Sequence, residues 1–103
     1  MDVILITGAY GFVGSNLAAF LKGRYVLWAL DMEDRKPGLY ERFFSWHQLD
    51  SIPWESVHTV IHLAGKAHDT KNRSDAQSYF DINTGLTQQI FDRFLSSSAR
   101  QFI

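Results

Sequence analysis

The 103-residue chain has no cysteine, which excludes a disulfide framework, a thiolate metal site and a cysteine nucleophile, and is compatible with a reducing compartment. It has no block of charge of one sign. Its 10 basic and 11 acidic residues are interspersed and leave a formal net charge of −1, so neither a nucleic-acid partner nor an anionic membrane surface is indicated. It has no apolar run long enough for a secretory or transmembrane segment, Val3 to Ile6 being far too short, and a soluble cytoplasmic protein is the expectation. His47, His58, His62 and His68 lack the spacing of metal ligands, and His68-Asp69 is an isolated pair, so no metal site is nominated. No internal repeat, low-complexity segment or linker breaks the chain. A single domain is expected over residues 1–103, with a hydrophobic content of 46% that suffices for a core.

What is present begins at the N-terminus. Val3-Ile4-Leu5-Ile6-Thr7 is an apolar, β-branched run that breaks into Gly8, Gly11 and Gly14 and resumes as an amphipathic helix. Gly8 permits the tight turn off the strand, Gly11 lets the backbone come close to a pyrophosphate, and Gly14 lets the helix pack against the strand it has just left. The unpaired N–H groups and positive dipole end of the helix would then face the anion. A glycine-rich turn that binds nothing could carry the same spacing; the strand before it and the helix after it are the context the dinucleotide fingerprint requires. A phosphotransferase loop is excluded, because no Lys-Ser/Thr pair follows the glycines.

Phe12, Val13, Leu17, Phe20 and Leu21 recur at helical spacing, which predicts a helix from about Gly11 to Lys22 with these residues on the sheet and Gly23 as its stop. Tyr25 to Leu30 is continuously apolar, as a parallel strand covered on both faces requires, and ends on Asp31. Residues 32–41 are turn-rich, so a helix there is short or missing. Phe43 to Leu49 reads as a third strand, Asp50 to Glu55 as a loop with one helical turn, Thr59 to Ala64 as a fourth strand, and Lys66 to Arg73 as a polar loop near the ligand. The longest helix is expected from Ser74, capped by Gln77, to Ser98. Its apolar stripe is Tyr79, Ile82, Leu86, Ile90 and Phe94, and Phe80, Phe91 and Leu95 widen it enough to predict burial on two sides. Gln101 to Ile103 starts a fifth strand.

Strands alternating with helices predict an α/β fold, a doubly wound parallel sheet whose ligand lies beyond the carboxyl ends of the strands. Asp31, 23 residues beyond Gly8, is placed to accept hydrogen bonds from an adenosine ribose. A carboxylate there repels a 2′-phosphate and favours NAD over NADP, while Arg35 nearby keeps NADP open; a solvated turn aspartate is the alternative. Asp50 is placed to accept from an adenine amino group, or only forms a turn. In His62-Leu63-Ala64-Gly65 the backbone at Ala64 and Gly65 carries only a methyl or a hydrogen and can approach a cofactor closely, while His62 reads as a packed strand residue rather than a catalyst. Asn83 lies in the last helix, either bonded to backbone near the fourth strand or exposed.

These residues resemble the extended short-chain dehydrogenase/reductase superfamily, and within it the NAD-dependent nucleotide-sugar epimerase/dehydratase family. Thr7-Gly8-Ala9-Tyr10-Gly11-Phe12-Val13-Gly14 matches its TGxxGxxG loop, and Asp31 and Asp50 match its ribose and adenine aspartates. His62-Leu63-Ala64-Gly65 resembles its HLAA segment with glycine last, and Asn83-Thr84-Gly85-Leu86-Thr87 resembles its asparagine-led helix motif with the Gly and Thr separated by Leu86. The resemblance implies the N-terminal part of a Rossmann-type sheet, four strands plus the start of a fifth, with NAD as cofactor, a nucleotide-sugar substrate for a longer parent and a homo-oligomeric assembly. The implied cofactor contacts are Gly8, Tyr10, Gly11, Phe12, Val13, Gly14, Asp31, Asp50, Ser51, Leu63, Ala64, Gly65 and Asn83. The family's Tyr-x-x-x-Lys pair has no counterpart, since the fourth residue after Tyr10, Tyr25, Tyr40 and Tyr79 is Gly14, Ala29, Phe44 and Asn83. No catalytic residue is therefore nominated, and the chain alone is expected to show no turnover with NAD and UDP- or GDP-sugars. A non-enzymatic NAD(P)-binding regulatory module is the competing reading.

Overall fold

The computed structural model describes residues 1–64 and 85–103. In chain order its elements are β1 (Val3–Thr7), α1 (Phe12–Leu21), β2 (Val26–Asp31), β3 (Arg42–Ser45), β4 (Val57–His62), a helix α2 described over residues 85–95, and β5 (Gln101–Phe102). The strands form one parallel sheet in the order β3-β2-β1-β4-β5. β1 is central: Thr7 pairs with Leu30 on one side and with His62 on the other. The chain travels outward from β1 to β3, then returns to the other flank of β1 for β4 and β5. The order thus reverses between β1 and β4, and in an open parallel sheet the crevice at such a reversal, beyond the carboxyl ends, is where ligands bind.

Each face of the sheet has its own core, because alternate residues of a strand point to opposite sides. Leu5, Trp28, Leu30 and Val60 pack on one face with Leu49, Ile52, Trp54 and Ile90 of α2. Ile4, Ile6, Leu27 and Ala29 pack on the other with Ala18 of α1. Helices on both faces explain why β1 and β2 are apolar throughout rather than alternating.

The helix α1 sits where the sequence places it, but a different face meets the sheet. Gly14 and Ala18 are its buried residues, and Leu17 and Leu21 pack beside them. Phe12, Val13 and Phe20, expected on the sheet, are exposed, Phe12 at 86% and Phe20 at 69%. Close packing against Ala9 and Ala29 leaves room only for small side chains at the contact, so the phenylalanines turn outward and Phe20 lies under the Arg24 guanidinium.

The third strand is shorter than its apolar run. It ends at Ser45, and Trp46–Ser51 forms a 3-10 turn. Ser45 and Gln48 make a capping box, the Gln48 amide oxygen accepting from Ser45 N–H at 2.8 Å, so side chains take the backbone groups that a ladder would have used. A second 3-10 turn follows at Trp54–Ser56, and no helix occupies residues 32–41. β4 begins two residues earlier than expected and ends at His62; beyond it the Leu63 N–H donates to both the backbone and the hydroxyl oxygen of Thr7, and the Ala64 N–H turns to the Thr7 hydroxyl oxygen. In α2, Ile90 is fully buried and Phe94 packs against the same core, but Phe91 and Leu95 are exposed, so the described part of the helix is buried on one side rather than two. Tyr79, Phe80, Ile82, the Ser74–Gln77 cap and the loop from Lys66 to Arg73 lie outside the described residues. Among the described residues no helix is long and apolar enough to cross a membrane.

Candidate functional site

At the carboxyl end of β1 the chain turns at Gly8, whose φ of +67° is a conformation L side chains rarely adopt. A Cβ there would also lie 2.8 Å from the Ala64 nitrogen and the Leu63 carbonyl carbon, so Gly8 is where the loops after β1 and β4 touch. At Gly14 a Cβ would come within 2.7 Å of the carbonyl oxygens of Gly8 and Ala9. The sequence assigns Gly14 to helix–strand packing; the structure shows α1 lying on the carbonyls of its own approach loop. Gly11 differs from both, being exposed, with Gly8 O at 3.4 Å as its one near neighbour. It is the N-cap of α1 in extended conformation, with no side-chain cap and no acidic residue in the first turn. The N–H groups of Phe12, Val13 and Gly14 therefore meet neither a capping side chain nor an acidic side chain of their own turn, an arrangement suited to an external anion.

Three side chains hold this loop in shape. The Tyr40 hydroxyl, buried between α1 and the sheet, lies 2.7 Å from Ala9 O and 3.2 Å from Gly14 O and donates its proton to these carbonyls. Burial, reinforced by the negative charge of Asp31, raises the Tyr40 pKa well above the ordinary phenol range, which keeps the hydroxyl a neutral donor. The Tyr10 ring packs edge-on against Tyr40 at 5.4 Å. Tyr10 N–H donates to one Asp31 oxygen at 2.9 Å, and Met32 N–H donates to the other at 2.7 Å. The Tyr10 hydroxyl donates to Asp34. Its pKa is likewise raised, first by burial and then by the Asp34 carboxylate.

The other wall of the crevice is tied down by Thr7, fully buried at the end of β1. Its hydroxyl oxygen accepts from Leu63 N–H at 3.1 Å and Ala64 N–H at 3.2 Å, and lies 2.6 Å from His62 Nδ1. With both lone pairs directed at N–H donors, the Thr7 proton is left for His62 Nδ1, which makes Nδ1 an acceptor. The imidazole is then neutral with its proton on Nε2, and donates to Thr87 of α2 at 2.8 Å. Burial lowers the His62 pKa, in agreement with that tautomer. His62 is a packed strand residue, as its sequence context implies, and joins β1, β4 and α2.

The structure brings together Gly8, Leu63 and Ala64 on one side of the crevice and Tyr10, Gly11, Gly14 and Asp31 on the other. Phe12 and Val13 follow at the start of α1 with exposed side chains. Asp50 and Ser51 stand apart on the 3-10 turn after β3. The Asp50 carboxylate is 88% exposed and paired with Arg93 of α2, rather than bonded to the glycine loop. Gly65 and Asn83 lie outside the described residues. Sequence reasoning missed Tyr40, which sits in a turn-rich stretch with no pattern to mark it. Thr7 and Thr87 were present in the quoted motifs but not nominated, although a hydroxyl closing an otherwise apolar strand is a signal. A hollow of about 190 Å³ lined by Lys22, Tyr25, Leu39 and Glu41 lies toward the amino ends of the strands, away from this crevice.

The model of the NAD dependent epimerase/dehydratase family matches residues 4–103. The chain belongs to this family. A relative, UDP-glucose 4-epimerase from Vibrio cholerae, is 29% identical over 114 residues, covering 97% of this chain and 33% of the relative. A short-chain dehydrogenase/reductase superfamily protein from Agrobacterium tumefaciens, solved with bound NAD, superposes with a TM-score of 0.79 at 25% identity, covering 98% of this chain and 31% of that one. UDP-N-acetylglucosamine 4-epimerase from Bacillus cereus shares the fold, with a TM-score of 0.72 at 22% identity over 99% of this chain and 37% of that one. The family member described here thus spans about a third of the length of these relatives.

Proposed function

We propose that the chain holds NAD as the dinucleotide-binding portion of a nucleotide-sugar epimerase or dehydratase. The observation that carries this reading is the uncapped amino end of α1, set beyond the Gly8–Gly14 turn at the point where the strand order reverses, with Asp31 anchored beside it. The pyrophosphate would meet the N–H groups of the first helical turn, and the adenosine ribose would meet the Asp31 carboxylate. Leu63 and Ala64, held by Thr7, would form the apolar wall opposite. Asp50 and Ser51 would line the adenine end, and Gly65 and Asn83 complete the proposed contacts. Asp31 favours NAD over NADP. When bound, NAD supplies a nicotinamide that accepts and returns a hydride.

The nucleotide-sugar substrate is proposed from the likeness to UDP-glucose 4-epimerase and UDP-N-acetylglucosamine 4-epimerase, and the homo-oligomer from the exposed Phe91 and Leu95 of α2 beside the edge strand β5. Because the residues argued here address the ADP half of the cofactor, calorimetry with its two halves is the test. ADP-ribose is expected to bind within about tenfold of NAD, and nicotinamide mononucleotide to show no heat of binding. Binding of the mononucleotide without ADP-ribose would place the recognition elsewhere.

A further inference from the structure

We propose that Asp34, held by Tyr10, is a second determinant of the choice between NAD and NADP beside Asp31, an inference that rests on the dinucleotide reading above. One residue of the glycine loop braces two carboxylates: the Tyr10 backbone N–H is on Asp31 and the Tyr10 hydroxyl is on Asp34. The loop after β2 is thereby folded back on the glycine turn, with Asp34 kept on the side of the site where the adenosine ribose meets Asp31. Adding a 2′-phosphate to that ribose brings close to two negative charges toward both groups.

The chain also has a cation nearby that would favour the phosphate. Arg35 pairs with Glu33 at 3.4 Å, but both side chains are largely exposed. A pair of that kind is weak and yields readily to a phosphate. Glu33 therefore does not by itself neutralise Arg35 as a phosphate ligand. A carboxylate held toward the glycine loop does oppose it, and the hydrogen bond from the Tyr10 hydroxyl supplies that hold on Asp34. The edge-on contact of the Tyr10 ring with Tyr40, and its tilted contact with Phe43 at 6.3 Å, fix the ring that presents the hydroxyl. The loop sequence Asp31-Met32-Glu33-Asp34-Arg35 thus contains a fixed negative charge beyond the ribose aspartate, placed by an aromatic residue in a position of the glycine loop that the motif leaves free.

The test is the ratio of NADP to NAD dissociation constants, measured by calorimetry at about 20 mM salt, where charges at this range are least screened. Wild type is compared with Asp34→Asn, which keeps an acceptor for Tyr10 and removes only the charge, and with Tyr10→Phe, which releases Asp34. Both substitutions are expected to lower the ratio by about threefold or more, and the difference from wild type is expected to vanish at about 0.5 M salt, as a charge effect must. A ratio unchanged in both variants at low salt would overturn the proposal. So would an equal loss of affinity for both dinucleotides, the mark of a contact that only supports the loop. Wild type binding NAD while the ratio ignores Asp34 leaves the dinucleotide reading standing; wild type binding neither nucleotide overturns that reading and this inference together.

Discussion

A methyl group added at Gly8, Gly11 or Gly14 meets three different surroundings, and the three substitutions separate stability from binding. Gly8→Ala combines a left-handed φ with a 2.8 Å approach to the Leu63–Ala64 backbone and is expected to destabilise the fold by about 3 kcal/mol. Gly14→Ala forces α1 off the carbonyls of Gly8 and Ala9, at about 2 kcal/mol. Gly11→Ala meets only Gly8 O at 3.4 Å, so denaturant melts should place it within about 0.5 kcal/mol of wild type while NAD affinity falls about tenfold. Loss of stability at Gly11, or none at Gly14, would contradict these assignments. Tyr40→Phe leaves buried carbonyl oxygens without the shared hydroxyl and should cost about 1 to 2 kcal/mol in the same melts.

His62 adds a pH dependence. Its pKa is lowered in the folded state, so the unfolded chain takes up its proton first. The contribution of His62 is complete above the ordinary histidine pKa of about 6.5 and declines as pH falls below it. The melting temperature should therefore drop more steeply below about pH 6.5 in wild type than in His62→Gln; parallel profiles would dispose of the neutral bridge. The turn at Gly8 and the position of Asp31 at the end of β2 were legible in the sequence because they follow from local backbone geometry and a short separation along the chain, whereas the surface that Gly14 meets was not. The Tyr40 contact was not, because its carbonyl partners are 31 and 26 residues away and are fixed only by tertiary packing.

Among the elements, β1 and β2 were legible from unbroken apolar runs and β4 from the β-branched Thr59-Val60-Ile61, and their ends shifted by no more than two residues. The face of α1 was not, since periodicity treats every apolar residue alike and says nothing of how closely the helix must approach. The requirement for small residues comes from Gly14 and Ala18 lying on the loop and sheet, and it reverses the burial expected of Phe12 and Phe20. Ala18→Leu should accordingly destabilise by about 1 to 3 kcal/mol, whereas Phe20→Ser should stay within about 0.5 kcal/mol. Equal effects of the two in urea denaturation would restore the phenylalanine face. The truncated β3 has a related lesson: Phe43-Phe44 continues into Trp46 as an apolar pattern, but Ser45 and Gln48 claim the backbone locally and turn the chain. That turn places Asp50 five residues beyond the end of β3 and carries it toward Arg93, so neither its distance from the strand nor its ion pair was legible in the sequence.

At the scale of the whole molecule, the strand order places the glycine loop and the Leu63–Ala64 segment at one crevice, and two cores on opposite faces hold them there. The outward surfaces of Phe12, Phe20, Phe91 and Leu95, together with the short edge strand β5, leave apolar area uncovered on the described chain. Sedimentation is expected to show concentration-dependent self-association, and a single monomeric species at all concentrations would argue against it. The central claim is that the amino end of α1 and Asp31 form the dinucleotide site. Its most direct measurement is an NAD titration followed through backbone amide resonances. The largest shifts are predicted at Gly11, Phe12, Val13 and Gly14, with Met32 next to Asp31 moving with them. An NAD-induced change centred on the hollow at Lys22, Tyr25 and Glu41, or no change at the first turn of α1 at saturating NAD, would contradict the account.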